Sequence, residues 1–225
     1  MTDRDMIALL ERLPKVLPAR RSTFVRLKSE PDKRPRRVSG EAVPSVSLIV
    51  REWERFYLKF GVKLCLPDDC IPADPGGFGR VLVIAAGLTP SKAFGVCEAE
   101  FPCRCDEDFN LAVPTNERDP RDGAYAIRVR SGVEADAELA AYAANQVREG
   151  GLATETLLER FIHGLKVFTE TGRHLDVRGA TLCSGSRGSD GSVPRAAWLG
   201  GKFRVGGYFP QFAPKNLRPR LIVPS

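Results

Sequence analysis

The run 181–223, TLCSGSRGSDGSVPRAAWLGGKFRVGGYFPQFAPKNLRPRLIV, constrains the fold more than any other part of the chain. Residues 181–183 are a short β-type run that enters a Gly/Ser turn, 184–192. Residues 193–199 and 202–208 are extended runs separated only by Gly200 and Gly201. Two glycines there predict a hairpin, because primed turns require positive φ at both central residues. Phe203 and Val205 alternate with Lys202, Arg204 and Gly206, the two-residue period of a half-exposed strand. Residues 217–223 form a last strand, and Pro219 inside it predicts an edge position or a bulge, since proline cannot donate to a ladder. The loop 209–216 carries aromatics and prolines. Such a loop either decorates a small antiparallel sheet or serves recognition.

The rest of the chain supplies helices. Residues 156–170 give the clearest one, with Leu157, Leu158, Phe161, Ile162, Leu165 and Phe168 on a core face. Thr156 and Glu159 have capping-box spacing, and Gly172 supplies the stop. Residues 45–60 form a second amphipathic helix around Trp53, Phe56 and Tyr57, with Ser45 as cap and Gly61 as terminator. The apolar run 81–86 predicts a buried strand. Thr89 and Pro90 then open a helix over 91–101. A short helix at 106–113, a turn-rich connector at 115–123 and an alternating strand at 124–130 follow. The Ala-rich segment 134–149 reads as helical, with Glu134, Asp136 and Glu138 at its N-terminus, where the helix dipole favours acids. The expected class is α+β, helices packed on a small antiparallel sheet. The expected division is a basic N-terminal helix and arm (1–43), a helix/strand subdomain (44–115) and a C-terminal domain (116–225).

Hydrophobic residues make up 43% of the chain and charged residues 28%, enough apolar content to bury a core. No apolar run approaches the ~20 residues a membrane span needs. The first 13 residues contain a helix pattern but no signal-peptide core, so a cytoplasmic location, six reduced cysteines and no membrane partner are expected. The net charge of +6 is unevenly spread. Residues 12–37 hold ten Lys/Arg against two acids, and residues 195–220 hold six against none. Two basic ends around an acidic middle permit a polyanion partner, and equally fit solubility with internal pairing.

Several chemistries fail on spacing. Cys65, Cys70, Cys97, Cys103 and Cys105 surround one strand–helix unit, but paired C-x2–4-C knuckles are missing, and buried free thiols fit better than zinc. Cys183-Ser184-Gly185-Ser186-Arg187 is like a phosphate-cradling Cys loop with too few residues between Cys and Arg and no following helix. A core cysteine at a strand end explains it better. The glycines at 76–79 precede a strand, whereas a dinucleotide fingerprint follows one. No catalytic residue, metal ligand or cofactor is assigned.

Several pieces of the chain carry a resemblance. They are N-E-R (116–118), G-A-Y-A-I-R (123–128), E-A-D-A-E-L (134–139), T-L-L-E-R (156–160), T-G-R-H-L-D (171–176) and T-L-C-S-G-S-R-G-S-D-G-S-V-P (181–194). The ending N-L-R-P-R-L-I-V, R-E-W-E-R-F-Y (51–57) and the 81–86 strand match more loosely. Together they are similar to a family of uncharacterised bacterial proteins frequent in candidate-phylum genomes, which brings no activity with it. The C-terminal strand order also resembles C-type-lectin-like domains of the formylglycine-generating-enzyme or diversity-generating-retroelement type. That likeness implies a fixed scaffold with Leu199, Gly200, Phe203, Gly206, Gly207, Phe209, Gln211 and Phe212 as exposed, variable positions. The cysteine pair of a formylglycine-generating site is missing after Cys183, so that activity is not implied.

Two functions follow as expectations. The first is a non-enzymatic binding protein, taking an unidentified protein or small ligand on a C-terminal face made of Trp198, Leu199, Phe203, Arg204, Tyr208, Phe209, Gln211 and Phe212. The second is a nucleic-acid-binding accessory protein using Arg20, Arg21, Lys33, Arg34, Arg36 and Arg37 on phosphates.

Overall fold

The computed structural model describes residues 45–67, 70–105, 107–140 and 142–225. They belong to one unit, Val43–Ser225. The expected helix in the first 13 residues, the basic arm and its candidate phosphate contacts (Arg20, Arg21, Lys33, Arg34, Arg36, Arg37) lie outside the described residues.

The fold is α+β, as expected. In chain order come α1 (Val46–Leu58), β1 (Arg80–Ile84), α2 (Pro90–Glu100), β2 (Cys103–Arg104), α3 (Phe109–Ala112), β3 (Thr115–Asn116) and β4 (Tyr125–Val129). Then follow α4 (Ala144–Glu149), α5 (Leu157–Thr171), β5 (Ala180–Leu182), β6 (Ser186–Arg187), β7 (Val193–Leu199), β8 (Lys202–Tyr208), β9 (Leu217–Arg218) and β10 (Ile222–Pro224). One sheet has the order β1-β4-β10, a second β2-β8-β7-β5-β9, and β3 pairs with β6 alone. The five-stranded sheet is antiparallel in its middle and parallel at both edges, where β2 joins β8 and β9 joins β5. Among the described residues, no helix is long and apolar enough to cross a membrane.

Helix α5 is the centre of the molecule. Its N-terminus is capped twice. Thr156 Oγ1 accepts from the Glu159 amide at 3.2 Å and Glu159 returns a carboxylate to the Thr156 amide at 2.7 Å. The Leu157 amide donates to Ser186 Oγ at 2.9 Å. These bonds satisfy N–H groups that a helix start leaves free. Gly172 ends the helix at φ +66, the left-handed stop that glycine adopts without strain. Phe161 sits 5.5 Å from Phe94, 5.3 Å from Phe109 and 5.9 Å from Phe203, ring centre to ring centre. Trp53, Phe56 and Tyr57 of α1 join the same core as Leu82, Val83 and Ile84 of β1 and Ile127 of β4, so residues on both sides of position 115 share it.

Sequence periodicity gave α5 one apolar face, yet Glu159, Arg160, His163 and Lys166 are buried too. Packing from all sides requires each of those charges to be paired. Glu159 accepts two bonds from Arg118, at 2.7 and 2.9 Å. Lys166 meets Glu52 and Glu170. Arg160 reaches Asp176 at 2.8 Å, and Arg220 reaches the other oxygen of the same carboxylate at 2.7 Å. Thr181 Oγ1 donates to Asp176 at 2.6 Å, and the Ala135 amide donates at 3.1 Å. Asp176 itself is left-handed, φ 57, and fully buried.

Three local expectations need correction. The segment 134–149 is not one helix: among its described residues, only a 3-10 turn at Ala137–Leu139 and α4 form. Its acids cap other segments instead. Glu134 accepts from the Arg178 and Gly179 amides, Asp136 accepts from the Leu221 amide, and Glu138 pairs with Arg130. Tertiary hydrogen bonds outweigh a helix propensity of a few tenths of a kcal/mol per residue. Ser45 does not cap α1 with its side chain, which instead meets the Ser47 hydroxyl at 3.0 Å. The last strand divides around Pro219 into β9 and β10, which lie at the edges of different sheets.

Asp176→Ala is expected to cost about 3–5 kcal/mol, because it leaves two buried guanidiniums without their carboxylate. Asp176→Asn keeps an acceptor and tolerates left-handed backbone, so its cost is expected to be smaller. Urea unfolding of the two variants checks that order.

Candidate ligand-binding face

The β7–β8 hairpin turns at Gly200 and Gly201, with φ +61 and +71, as the paired glycines require. Its register pairs Trp198 with Phe203, Ala197 with Arg204 and Arg195 with Gly206. Side chains therefore alternate between two faces. Phe203 and Ala196 are buried against α5. Arg195, Leu199, Lys202 and Arg204 are exposed. The parallel partner strand β2 sets Arg104 beside Arg204. At the far end the outer face is sealed by a small cluster of Ala144, Leu182, Val193 and Leu217, with Tyr208 packed on it. The open part is a groove of about 370 Å³, floored by Ala180, Ala197 and Gly206 and flanked by Arg104, Arg195, Arg204, Leu199 and Glu107.

The expected binding residues separate into groups. Leu199 is 60% exposed and Arg204 lines the groove. Phe209 and Phe212 are exposed and meet edge-on at 5.9 Å in the loop after β8, where Gln211 is also exposed. That loop is tied to α4 by the bond from the Asn145 amide to the Pro210 carbonyl, 3.0 Å. Tyr208 is half-buried with the Arg195 guanidinium 5.7 Å above its ring. Trp198 is half-buried and stacks on His174, centroids 3.3 Å apart. Phe203 does not belong to the face. It is 4% exposed, within 6.4 Å of Phe94 and 5.9 Å of Phe101, and lies under Arg160. Its strand position has the correct period but points inward. Phe203→Ala is expected to lose about 3–5 kcal/mol of stability. Phe209→Ser and Phe212→Ser should each stay within about 0.5 kcal/mol. Thermal melts of the three variants decide the assignment.

Arg104 and Arg195 are the members of the face that sequence reasoning missed. The register of β2 against β8 joins residues about a hundred positions apart, which no local pattern shows. The available signal was the lack of any acid between 195 and 220.

The other reactive-looking groups are used inside the fold. Cys183 is fully buried at the end of β5, and burial pushes its thiol well above its ordinary value. Arg187, two residues past Gly185, donates to the carbonyls of Ser184 and Ser186, both at 2.7 Å, and so secures its own turn. Gly185 lets the turn press against the segment entering α5: a Cβ there would lie 2.7 Å from the Thr154 carbonyl oxygen. Asp176 is pushed up by burial, but Arg160, Arg220 and Thr181 outweigh this and hold it below the usual carboxylate range. Among the described residues, no group of three or more His, Cys, Asp or Glu is placed to hold a metal ion.

Glu155 and His163 form a sealed pair, Oε1 to Nδ1 2.7 Å. Burial raises Glu155 to about 7 against the pull of Arg220 and Arg160. Burial, with the same two arginines, holds His163 well below its ordinary value. Between the unfolded values of 4.5 and 6.5, the folded pair keeps one proton on Glu155 and the unfolded pair keeps one on His163. The pair's contribution is then nearly flat with pH, because equal proton counts give no slope. Removing either partner should expose a slope of up to about 1.4 kcal/mol per pH unit. In His163→Gln the protonated Glu155 favours the folded state at low pH, and stability falls as pH rises from 4.5 through about 7. In Glu155→Gln the neutral buried imidazole opposes protonation, and stability falls as pH drops through 6.5. Chemical denaturation at pH 5, 6 and 7 reads both signs.

No protein-family model, curated protein or solved structure matches the chain.

Proposed function

We propose that this protein is a non-enzymatic binding protein whose recognition surface is the outer face of the β7–β8 hairpin with the loop that follows it. One observation carries the reading: this region displays on one side and packs on the other. Leu199, Lys202, Arg204, Phe209, Gln211 and Phe212 are exposed, while Phe203 and Ala196 on the opposite face are in the core. Residues can then change outside without disturbing the packing inside. Rigid strands under exposed aromatics offer contact area at small entropy cost.

The sequence resemblance supports the same division. Its pieces include Arg160, Thr181 and Arg220 with Asp176, and Asn116, Arg118, Glu159 and Ser186, whose bonds tie the start of α5. They leave out 195–215, the stretch that makes the exposed face. A C-type-lectin-like display scaffold, of the kind that diversity-generating retroelements vary, is the specific form of this proposal. It predicts a reverse-transcriptase gene near this gene and a near-copy of the codons for 195–215. Genome sequence around the gene tests that form directly, and its lack of both features would remove diversification.

The broader reading has its own test. Leu199→Ser, Phe209→Ser and Phe212→Ser combined should keep the Tm of the parent. The parent, immobilised, should retain a component of its native cell extract that the variant loses. Identical retained components at equal Tm would overturn the face as a recognition surface.

A further inference from the structure

Resting on that reading, we infer that the groove between Arg104, Arg195 and Arg204 takes a short, extended, acidic peptide segment of a partner protein. The three guanidiniums come from three adjacent strands of one rigid sheet, and all three residues are exposed. Among the described residues, none of them has an acidic group within ion-pair distance. Several arginines elsewhere are paired, Arg80 with Glu170, Arg118 with Glu159, Arg121 with Asp119, Arg160 and Arg220 with Asp176, while Arg128, Arg187 and Arg218 bond to carbonyls; Arg104, Arg195 and Arg204 differ in facing one groove together. The groove sets three cations against one acid of its lining, Glu107; the excess positive charge is self-repelling, and an anionic ligand relieves it. Guanidinium forks match carboxylates in a bidentate geometry that a lysine cannot reproduce.

The floor fits an extended chain. Ala180, Ala197 and Gly206 leave the sheet surface low, and a Cβ at Gly206 would meet nothing within 4 Å. Leu199, at one end, offers an exposed apolar contact beside the charges.

Charge excludes residues 12–37 of this chain as the occupant, since they carry ten Lys/Arg against two acids. A nucleic acid is disfavoured by the rings. Strand binding of bases uses free aromatic faces; the exposed rings of Phe209 and Phe212 lie in the loop after β8 and do not line the groove, Tyr208 is covered by Arg195, and Trp198 is stacked on His174. Acidic side chains need no such platform.

The test uses the full chain and a dye-labelled octapeptide of alternating Glu and Leu, read by fluorescence anisotropy. The comparison protein carries Arg104→Gln, Arg195→Gln and Arg204→Gln. Both proteins have the same basic N-terminal segment, so the difference reads the groove. Binding at least tenfold weaker in the variant, at unchanged Tm, is the expected result. Equal binding by parent and variant overturns the inference. So does an oligo-dT of matched charge that binds the parent more tightly than the peptide and loses more affinity in the variant. Retention of an extract component that depends on Leu199, Phe209 and Phe212 but not on the three arginines would leave the recognition face standing and remove the acidic partner.

Discussion

The carboxylate of Asp176 holds the molecule together. It joins Arg160 from the central helix, Thr181 from the five-stranded sheet, Arg220 from the chain end and the amide of Ala135. Arg220 extends the same knot to the carbonyls of Gly132 and Val133, at 2.9 and 2.7 Å. Four segments far apart in sequence thus meet at one buried charge. Two guanidiniums on one carboxylate leave a positive excess inside the protein, which explains why neighbouring groups respond. Arg160 and Arg220 draw Glu155 downward and press His163 toward neutrality. A buried ionic knot of this kind is weak evidence of net stability against an apolar core. Its consequence here is geometric. It fixes how α5 sits against the sheet, and with it which side of β7 and β8 points outward.

A second set of bonds makes that placement firm. Arg118 grips Glu159, whose carboxylate also caps the helix at the Thr156 amide. Tyr125 donates to the same carboxylate at 3.0 Å. Ser186 accepts from the Leu157 amide while donating to Asn116 at 2.6 Å. Charge-assisted bonds in a water-poor interior are strong only when every member is satisfied. Here one helix start is tied simultaneously to β3, β4 and β6. The turn 183–187 looks chemically active on paper, but its polar residues serve the fold: Ser186 meets a helix terminus and Arg187 secures the turn itself.

Legibility in the sequence followed the range of the interaction. The capping box of α5, the Gly200-Gly201 turn and the Thr89-Pro90 start of α2 are set by neighbours within four residues, and each has the expected form. Segment 134–143 was misread because its acids bond backbone amides near 178 and 221, and no helical period reveals such partners. The alternation in β8 gave two faces but not which one faced inward. Phe203 and Arg204 exchange roles if the strand turns over, and only the aromatic cluster around Phe161 decides. The arginine groove was invisible for the strongest reason, since β2 is two residues long and has no strand pattern of its own.

The scaffold and the outer face answer to different physics, so in the proposed reading one could bind without weakening the other. Inside, each charge has a fixed partner, and replacing one strands another in a medium that cannot solvate it. Outside, Arg104, Arg195 and Arg204 stand in water, where the loss of any one costs the fold little. A ligand that entered the interior network would have to break paired ions. A ligand on the outer sheet, as proposed, would only replace water around cations that, among the described residues, form no ion pair. The energy available for recognition therefore lies where the fold does not depend on it, on strands held rigid by the buried side of the same hairpin.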